Sequence, residues 1–282
     1  MTNRARYIIP AALALFILFT AGAVWSEGPF RILVSNDDGI DAPGLAALFE
    51  KLSRIAVVTV AAPSHNYSLA SHSMTSSEPI VVTEKEKDGA KWYSIAATPA
   101  TCVRLALESL LEEKPDLVVS GINRGANLGM VTFYSATVGA AREASVKGLP
   151  AIAVSLEHGP KMDYEAAAVF VAELVGELVK SPLDPGLFLN VNFPNRPGDQ
   201  IRGMLVVPQD LRPSRESYER RVNPFGQVYY WNIFSELEPG DEKTDVWAVR
   251  NGYISVTPFK VDQTDAARMK KLKRLKLAPG KR

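Results

Sequence analysis

Two carboxylates stand side by side in Asn36-Asp37-Asp38-Gly39, directly after the apolar run Ile32-Leu33-Val34. Adjacent acids repel each other unless positive charge lies beside them, and hard divalent cations take oxygen ligands. Asp37, Asp38 or Asp41 has an ordinary alternative role, capping the free N–H groups of a following helix. Two further stretches carry oxygen-rich side chains. One is the hydroxyl-rich run from Pro63 to Ser73, which includes Ser68, and the other is Gly121 to Thr137, which includes Asn123. Two carboxylates, a hydroxyl and an amide carbonyl from Asp37, Asp38, Ser68 and Asn123 form a hard, partly open donor set suited to one Mg²⁺ or Mn²⁺ ion. The glycines around Gly125 bring backbone N–H groups within reach of a ligand. Ser135 or Thr137 stands at the start of a helix, where phosphate is favoured. A metal beside a phosphate cradle implies phosphoester hydrolysis, with the ion polarising the phosphoryl oxygen and activating a water. Asp37 or Asp38 serves as the water's base only if the metal leaves it free.

These residues need a frame that gathers them. Ile32 to Val34 reads as a strand buried on both faces, followed by Pro43 and a helix face of Leu45, Leu48, Phe49 and Leu52. Buried strands follow at 55–62, 116–120, 149–156 and 187–193, alternating with helices at 99–113, 137–147 and 164–179. Residues 80–83 and 92–95 bracket a charged hairpin turn. This alternation predicts an α/β fold, a Rossmann-like doubly wound and mostly parallel sheet, whose loops converge at the strands' carboxyl edge. From Ile201 onward the pattern changes to short antiparallel segments at 227–233 and 246–249, a strand at 252–257 and a basic helix at 265–277. A protruding β arm and a C-terminal helix, serving as an oligomer contact, are expected there. The run Arg268, Lys270, Lys271, Lys273, Arg274 and Lys276 has the charge to touch anionic lipid or nucleic acid. Met269, Leu272 and Leu275 give it an apolar side, and a solvated helix face is the expected role.

Composition removes several classes. The 282 residues carry a formal charge of +1, which excludes a strongly basic nucleic-acid binder. Three histidines and one cysteine make a zinc site of the usual ligands improbable, and Cys102 reads as a helix-core residue. No Gly-x-Ser-x-Gly elbow and no Gly-x₄-Gly-Lys-Ser/Thr loop occurs. Residues 1–28 differ from the rest: Arg4 and Arg6 precede an apolar run from Tyr7 to Val24, and Ala21-Gly22-Ala23 suits signal-peptidase cleavage. A signal peptide or an N-terminal membrane anchor is expected, and with it an exported or membrane-attached protein.

The motifs Ile32-Leu33-Val34-Ser35-Asn36-Asp37-Asp38-Gly39, Ala62-Pro63 with Ser68, Val118 to Asn123 with Gly125-Asn127-Leu128-Gly129, Tyr134-Ser135-Ala136-Thr137 and Gly252 to Pro258 together resemble the SurE family. The resemblance covers about Arg31 to Thr264 and makes 29–282 one SurE-like domain, with 201–282 as oligomerisation arm and C-terminal helix. It implies a metal-dependent 5′/3′-nucleotidase acting on nucleoside monophosphates, with exopolyphosphatase activity in some members. It also implies metal ligands Asp37, Asp38, Ser68 and Asn123, and a homodimer or homotetramer built through an exchanged C-terminal arm. Two departures stand out. Pro63-Ser64 and Ser68-Leu69 replace the usual Pro-Asp and Ser-Gly, so the loop is expected to differ, because leucine lacks glycine's backbone freedom. The family is usually cytoplasmic, whereas this chain carries an export-like segment. An exported protein that binds a nucleotide or phosphate without turnover is the competing reading.

Overall fold

The computed structural model describes residues 28–213, 215–235, 237–240 and 243–275. The export-like segment, except Gly28, lies outside them, as do Lys276 and Leu277. Among the described residues no helix is long and apolar enough to cross a membrane.

The strand–helix alternation folds as expected. Strands β1 (Arg31–Ser35), β2 (Val57–Pro63), β3 (Val82–Lys87), β4 (Ala90–Ile95), β5 (Leu117–Arg124), β6 (Ala151–Leu156) and β7 (Phe188–Phe193) enter one sheet with β8 (Met204–Val206) and β11 (Ile254–Pro258). The strand order is β3-β4-β2-β1-β5-β6-β7-β11-β8. Pairing is parallel from β4 through β7, and antiparallel where β3 meets β4 and where β11 meets β7. Alternation along β1 sets the layers. Ile32 and Val34 face the helices α1 (Pro43–Leu52) and α4 (Tyr164–Leu178), while Leu33 faces α2 (Pro99–Leu105) and α3 (Ala136–Val146). Cys102 is fully buried in α2, and burial pushes its thiol far up, so it is a core residue. The chain leaves β1 for β2 on one side and later returns to β5 on the other. The carboxyl end of β1 is therefore a topological switch point, where such sheets open a crevice.

Four expectations need correction. Strand β5 does not stop at Ser120 but runs to Arg124, with a register shift against β6 between Ser120 and Asn123. Gly121, at φ +149°, permits this bulge: a Cβ there would lie 2.4 Å from the Val154 carbonyl oxygen. What read as the start of a loop is strand, and Asn123 stands on it. The segment 246–249 is not a strand but part of helix α5 (Asp245–Arg250), whose first turn Thr244 caps by accepting the Trp247 N–H. Residues 227–233 pair instead within a hairpin of β9 (Arg215–Val222) and β10 (Val228–Ser235). The polar composition of β9 hid it, because a ribbon exposed on both faces needs no apolar alternation. Finally, the helix from Pro99 widens into a π-turn over Ala106–Leu110 and ends there, and the basic helix α6 spans Ala266–Leu272. All of α6 is solvent-exposed, as expected of a solvated face.

Candidate metal centre

The turn after β1 is built by its own side chains. Asn36 is fully buried, donates Nδ2 to the Gly39 carbonyl at 2.9 Å and accepts the Gly39 N–H at 3.3 Å. Gly39 adopts φ +106° and lies so close to the β2 loop that a Cβ would meet the His65 carbonyl carbon at 3.2 Å. Ile40 N–H donates to the Pro63 carbonyl and Tyr67 N–H to that of Asp37, each at 2.8 Å, so the loops after β1 and β2 are stitched together. Asp37 and Asp38 project from this brace.

They do not cap the next helix. The N-cap of α1 is Ala42, with no side-chain cap hydrogen bond. Asp37, only 3% exposed, accepts a hydrogen bond from Thr137 Oγ1. Asp38 accepts the Arg124 N–H at 3.0 Å on Oδ2 and Asn66 Nδ2 at 3.4 Å on Oδ1. Burial and, less strongly, the neighbouring Asp38 charge raise the Asp37 carboxyl to about 7 against the opposing Thr137 hydrogen bond. Burial also raises Asp38, with the Arg124 N–H and charge opposing. Two neighbouring desolvated carboxyls are destabilised when ionised, and a divalent cation relieves that destabilisation. Asn123, on the adjacent strand β5, is the candidate for a third oxygen. Its Nδ2 donates to the Gly125 carbonyl at 2.8 Å, which leaves Oδ1 as the acceptor available to a ligand. Among the described residues no three His, Cys, Asp or Glu side chains gather, so a cation here would rest on two carboxylates and neutral oxygens. That donor set fits Mg²⁺ or Mn²⁺.

The remaining sequence candidates fall into different places. Ser68 is exposed, and its N–H donates to Asn66 Oδ1 at 2.8 Å; Asn66 therefore bridges Asp38 and the Ser68 backbone. Ser135 is the N-cap of α3, accepting the Val138 N–H. Thr137 is fully buried and donates its hydroxyl to Asp37. The Gly125 N–H, one of the groups read as reaching toward a ligand, donates to the Leu156 carbonyl. Leu69 sits at φ +64°, a left-handed conformation that glycine adopts without strain and leucine does not. Its side chain is 59% exposed and strain is not offset by burial. Leu69→Gly is expected to raise stability by up to about 1 kcal/mol, the left-handed penalty less glycine's extra entropy. An unchanged or lowered urea midpoint would refute it.

Sequence reasoning missed the support behind Asp37. Asn127 donates Nδ2 to Ser155 Oγ at 2.8 Å and to Thr137 Oγ1 at 3.5 Å. Its carbonyl accepts Asn190 and Asn192 Nδ2, and its N–H donates to Asn192 Oδ1. This buried amide network carries the position of Thr137, and through it Asp37, back to β7. The available signal was Phe-Leu-Asn-Val-Asn-Phe, two amides on one face of a strand otherwise fit for the core.

Comparison with known proteins agrees with this frame. The family model described as survival protein SurE matches residues 32–216. The 5′-nucleotidase SurE of Syntrophobacter fumaroxidans is 42% identical over 236 residues, covering 83% of this chain and 94% of that protein. That of Geotalea uraniireducens is 43% identical over 246 residues, covering 86% and 98%. The crystal structure of the SurE protein from Aquifex aeolicus superposes with a TM-score of 0.77 at 38% identity, over 86% of this chain and 98% of that one. With the paired aspartates at the switch point, the sheet that holds them and the matched span all in agreement, the chain belongs to the SurE family.

Proposed function

We propose that this chain is a divalent-metal-dependent 5′-nucleotidase that hydrolyses nucleoside monophosphates to nucleoside and phosphate. The observation that carries the reading is the Asp37–Asp38 pair at the switch point: Asp37 buried, Asp38 half-buried and hydrogen-bonded to the end of β5, and neither capping the next helix. The relatives named 5′-nucleotidase SurE support the activity. Asp37, Asp38, Asn123 and Ser68 would hold one Mg²⁺ or Mn²⁺ ion, which supplies positive charge to the phosphoryl oxygens. The chain's own groups do the rest. Thr137 fixes one Asp37 oxygen, while Arg124 N–H and Asn66 fix the two oxygens of Asp38. The Asn66 turn sets where Ser68 stands, so the loop after β2 is held to the carboxylates it serves. The β9–β10 ribbon exposes Tyr218, Tyr230, Trp231 and Phe225, and we infer that a second copy of the chain covers it, making 201–282 the assembly arm. Residues 1–28 act in this reading as an export signal or anchor.

The test is phosphate release from 5′- and 3′-nucleoside monophosphates and from polyphosphate, with Mg²⁺, Mn²⁺ or EDTA. Metal-dependent release from 5′-monophosphates is expected. A folded protein that binds nucleotide without release under either metal would make it a binding protein instead.

Thr137→Val tests the support behind the site. The shape is kept but the hydroxyl donor to Asp37 is lost, and partners that orient metal ligands typically control about 10–100-fold of affinity or activity. Metal affinity, read by titration calorimetry, is expected to fall about 10–100-fold. An unchanged affinity would remove Thr137 from the positioning role.

A further inference from the structure

A second concave region lies apart from the Asp37–Asp38 site, between the 129–133 turn, α3 and the strands β8 and β11. This groove has a volume of about 750 Å³, within the range of small-molecule sites, and none of the candidate metal or phosphate residues lines it. Phe133, Arg142, Val206, Thr257, Phe259 and Lys260 form much of its wall. Three features mark it as more than a packing gap. Arg142 is half-buried, and among the described residues it has no hydrogen bond or ion pair; burial pulls its guanidinium below the usual range, with no carboxylate to oppose the effect. A desolvated cation without a counter-charge is destabilising, and an anionic ligand supplies what is missing. Thr257 is 2% exposed and its Oγ1 has no partner among the described residues, so a buried hydroxyl is also unsatisfied there. Phe133, 44% exposed, gives the groove an accessible aromatic face, and Lys260 adds a second cation from an exposed position.

We propose that this groove is a second, non-catalytic nucleotide site, with Arg142 and Lys260 taking the phosphate and Phe133 and Phe259 the base. Guanidinium suits phosphate because its planar donors match the anion's oxygens, and aromatic faces accept any base by stacking. The floor of the site is tied to its surroundings: Gln209 Nε2 donates to the Gly129 carbonyl and to Thr132 Oγ1, each at 2.8 Å.

The experiment is equilibrium binding of AMP to the detergent-solubilised full chain carrying Asp38→Asn, in Mg²⁺ buffer, so that nucleotide is not consumed. Adding Arg142→Gln is expected to remove one AMP site per chain, or to weaken it at least tenfold. Val206→Trp, which fills the groove from an exposed position, is expected to do the same, and guards against an Arg142 variant that misfolds. Inorganic phosphate and adenosine alone should each bind more weakly than AMP. If the number and affinity of AMP sites are unchanged by both substitutions, the proposal is overturned. It is equally overturned if Arg142→Gln alters the sedimentation mass but not AMP binding, because the groove then belongs to a second copy. Neither result depends on whether the protein hydrolyses nucleotides.

Discussion

The Asp38→Asn protein, lacking residues 1–28 and supplied with Mg²⁺ or Mn²⁺, is expected to release phosphate from AMP about 10³-fold more slowly than the parent. The magnitude follows from the role. A metal contributes several kcal/mol of transition-state charge stabilisation, and each 1.36 kcal/mol is about tenfold in rate. Replacing one of two carboxylates in a set otherwise made of neutral oxygens removes half its negative charge. The substituted amide would keep an acceptor for the Arg124 N–H and a side chain of the same shape, so the fold should persist. Circular dichroism of the variant checks this, and restoration of activity by high metal concentration would show that occupancy was the defect. A variant that retains a tenth or more of the parent rate at modest metal concentration would displace Asp38 from the site. Loss of activity with unchanged metal affinity would instead make Asp38 a group acting on water or substrate.

The frame of this site was legible in the sequence because it is written in burial. Ile32-Leu33-Val34 has no polar residue to offer solvent, so it had to be a central strand, and Asp37 and Asp38 had to lie at its end. Asn123 was singled out as a candidate ligand but was placed on a loop, because glycine weakens a strand reading and the bulge at Gly121 depends on β6 lying alongside. The support behind Asp37 was harder. Thr137 read as a helix start near a phosphate, yet its hydroxyl turns inward because Asn127 and Asn192, distant in sequence, form the amide cluster behind it. Helix α5 was misread for a related reason. Val246 and Val249 are β-branched, but Asp245 is buried and accepts N–H groups from Gly129, Asp210 and Val246, a set of bonds, two of them long-range, that no local propensity records. Of the β9–β10 ribbon only the apolar β10 was legible; β9 is polar and exposed over residues 216–222, so it carried no period to find.

Asp37→Asn should make the metal-free protein more stable at pH 8 while leaving stability near pH 4 almost unchanged. In the folded, metal-free chain the Asp37 carboxyl titrates at about 7, against the ordinary 3.8 of an aspartate. Between those values the native state holds a proton that the unfolded state has lost, so stability falls as pH rises through the window. Above pH 7 the full cost is present. A rise of that size corresponds to about 4 kcal/mol, an upper bound because water entry and relaxation reduce it. Asparagine has no charge to desolvate, and its carbonyl can still accept from Thr137 Oγ1, so it escapes the cost. Urea unfolding in EDTA at pH 4, 6 and 8 would read this as two curves that diverge with rising pH, the variant above the parent. Saturating Mg²⁺ or Mn²⁺ should reverse the order, since ligand that binds only the native state stabilises the parent by RT ln(1 + [L]/Kd) and the variant far less. Parallel curves in EDTA would mean that Asp37 is ionised without cost in the empty site, and the electrostatic reason for a cation there would fall. Divergence in EDTA without reversal by metal would keep the buried acid but assign its relief to something other than Mg²⁺ or Mn²⁺. The same carboxyl that destabilises the empty chain is, in this account, what makes the filled one bind tightly: the free energy stored in a desolvated acid pair is released on cation binding.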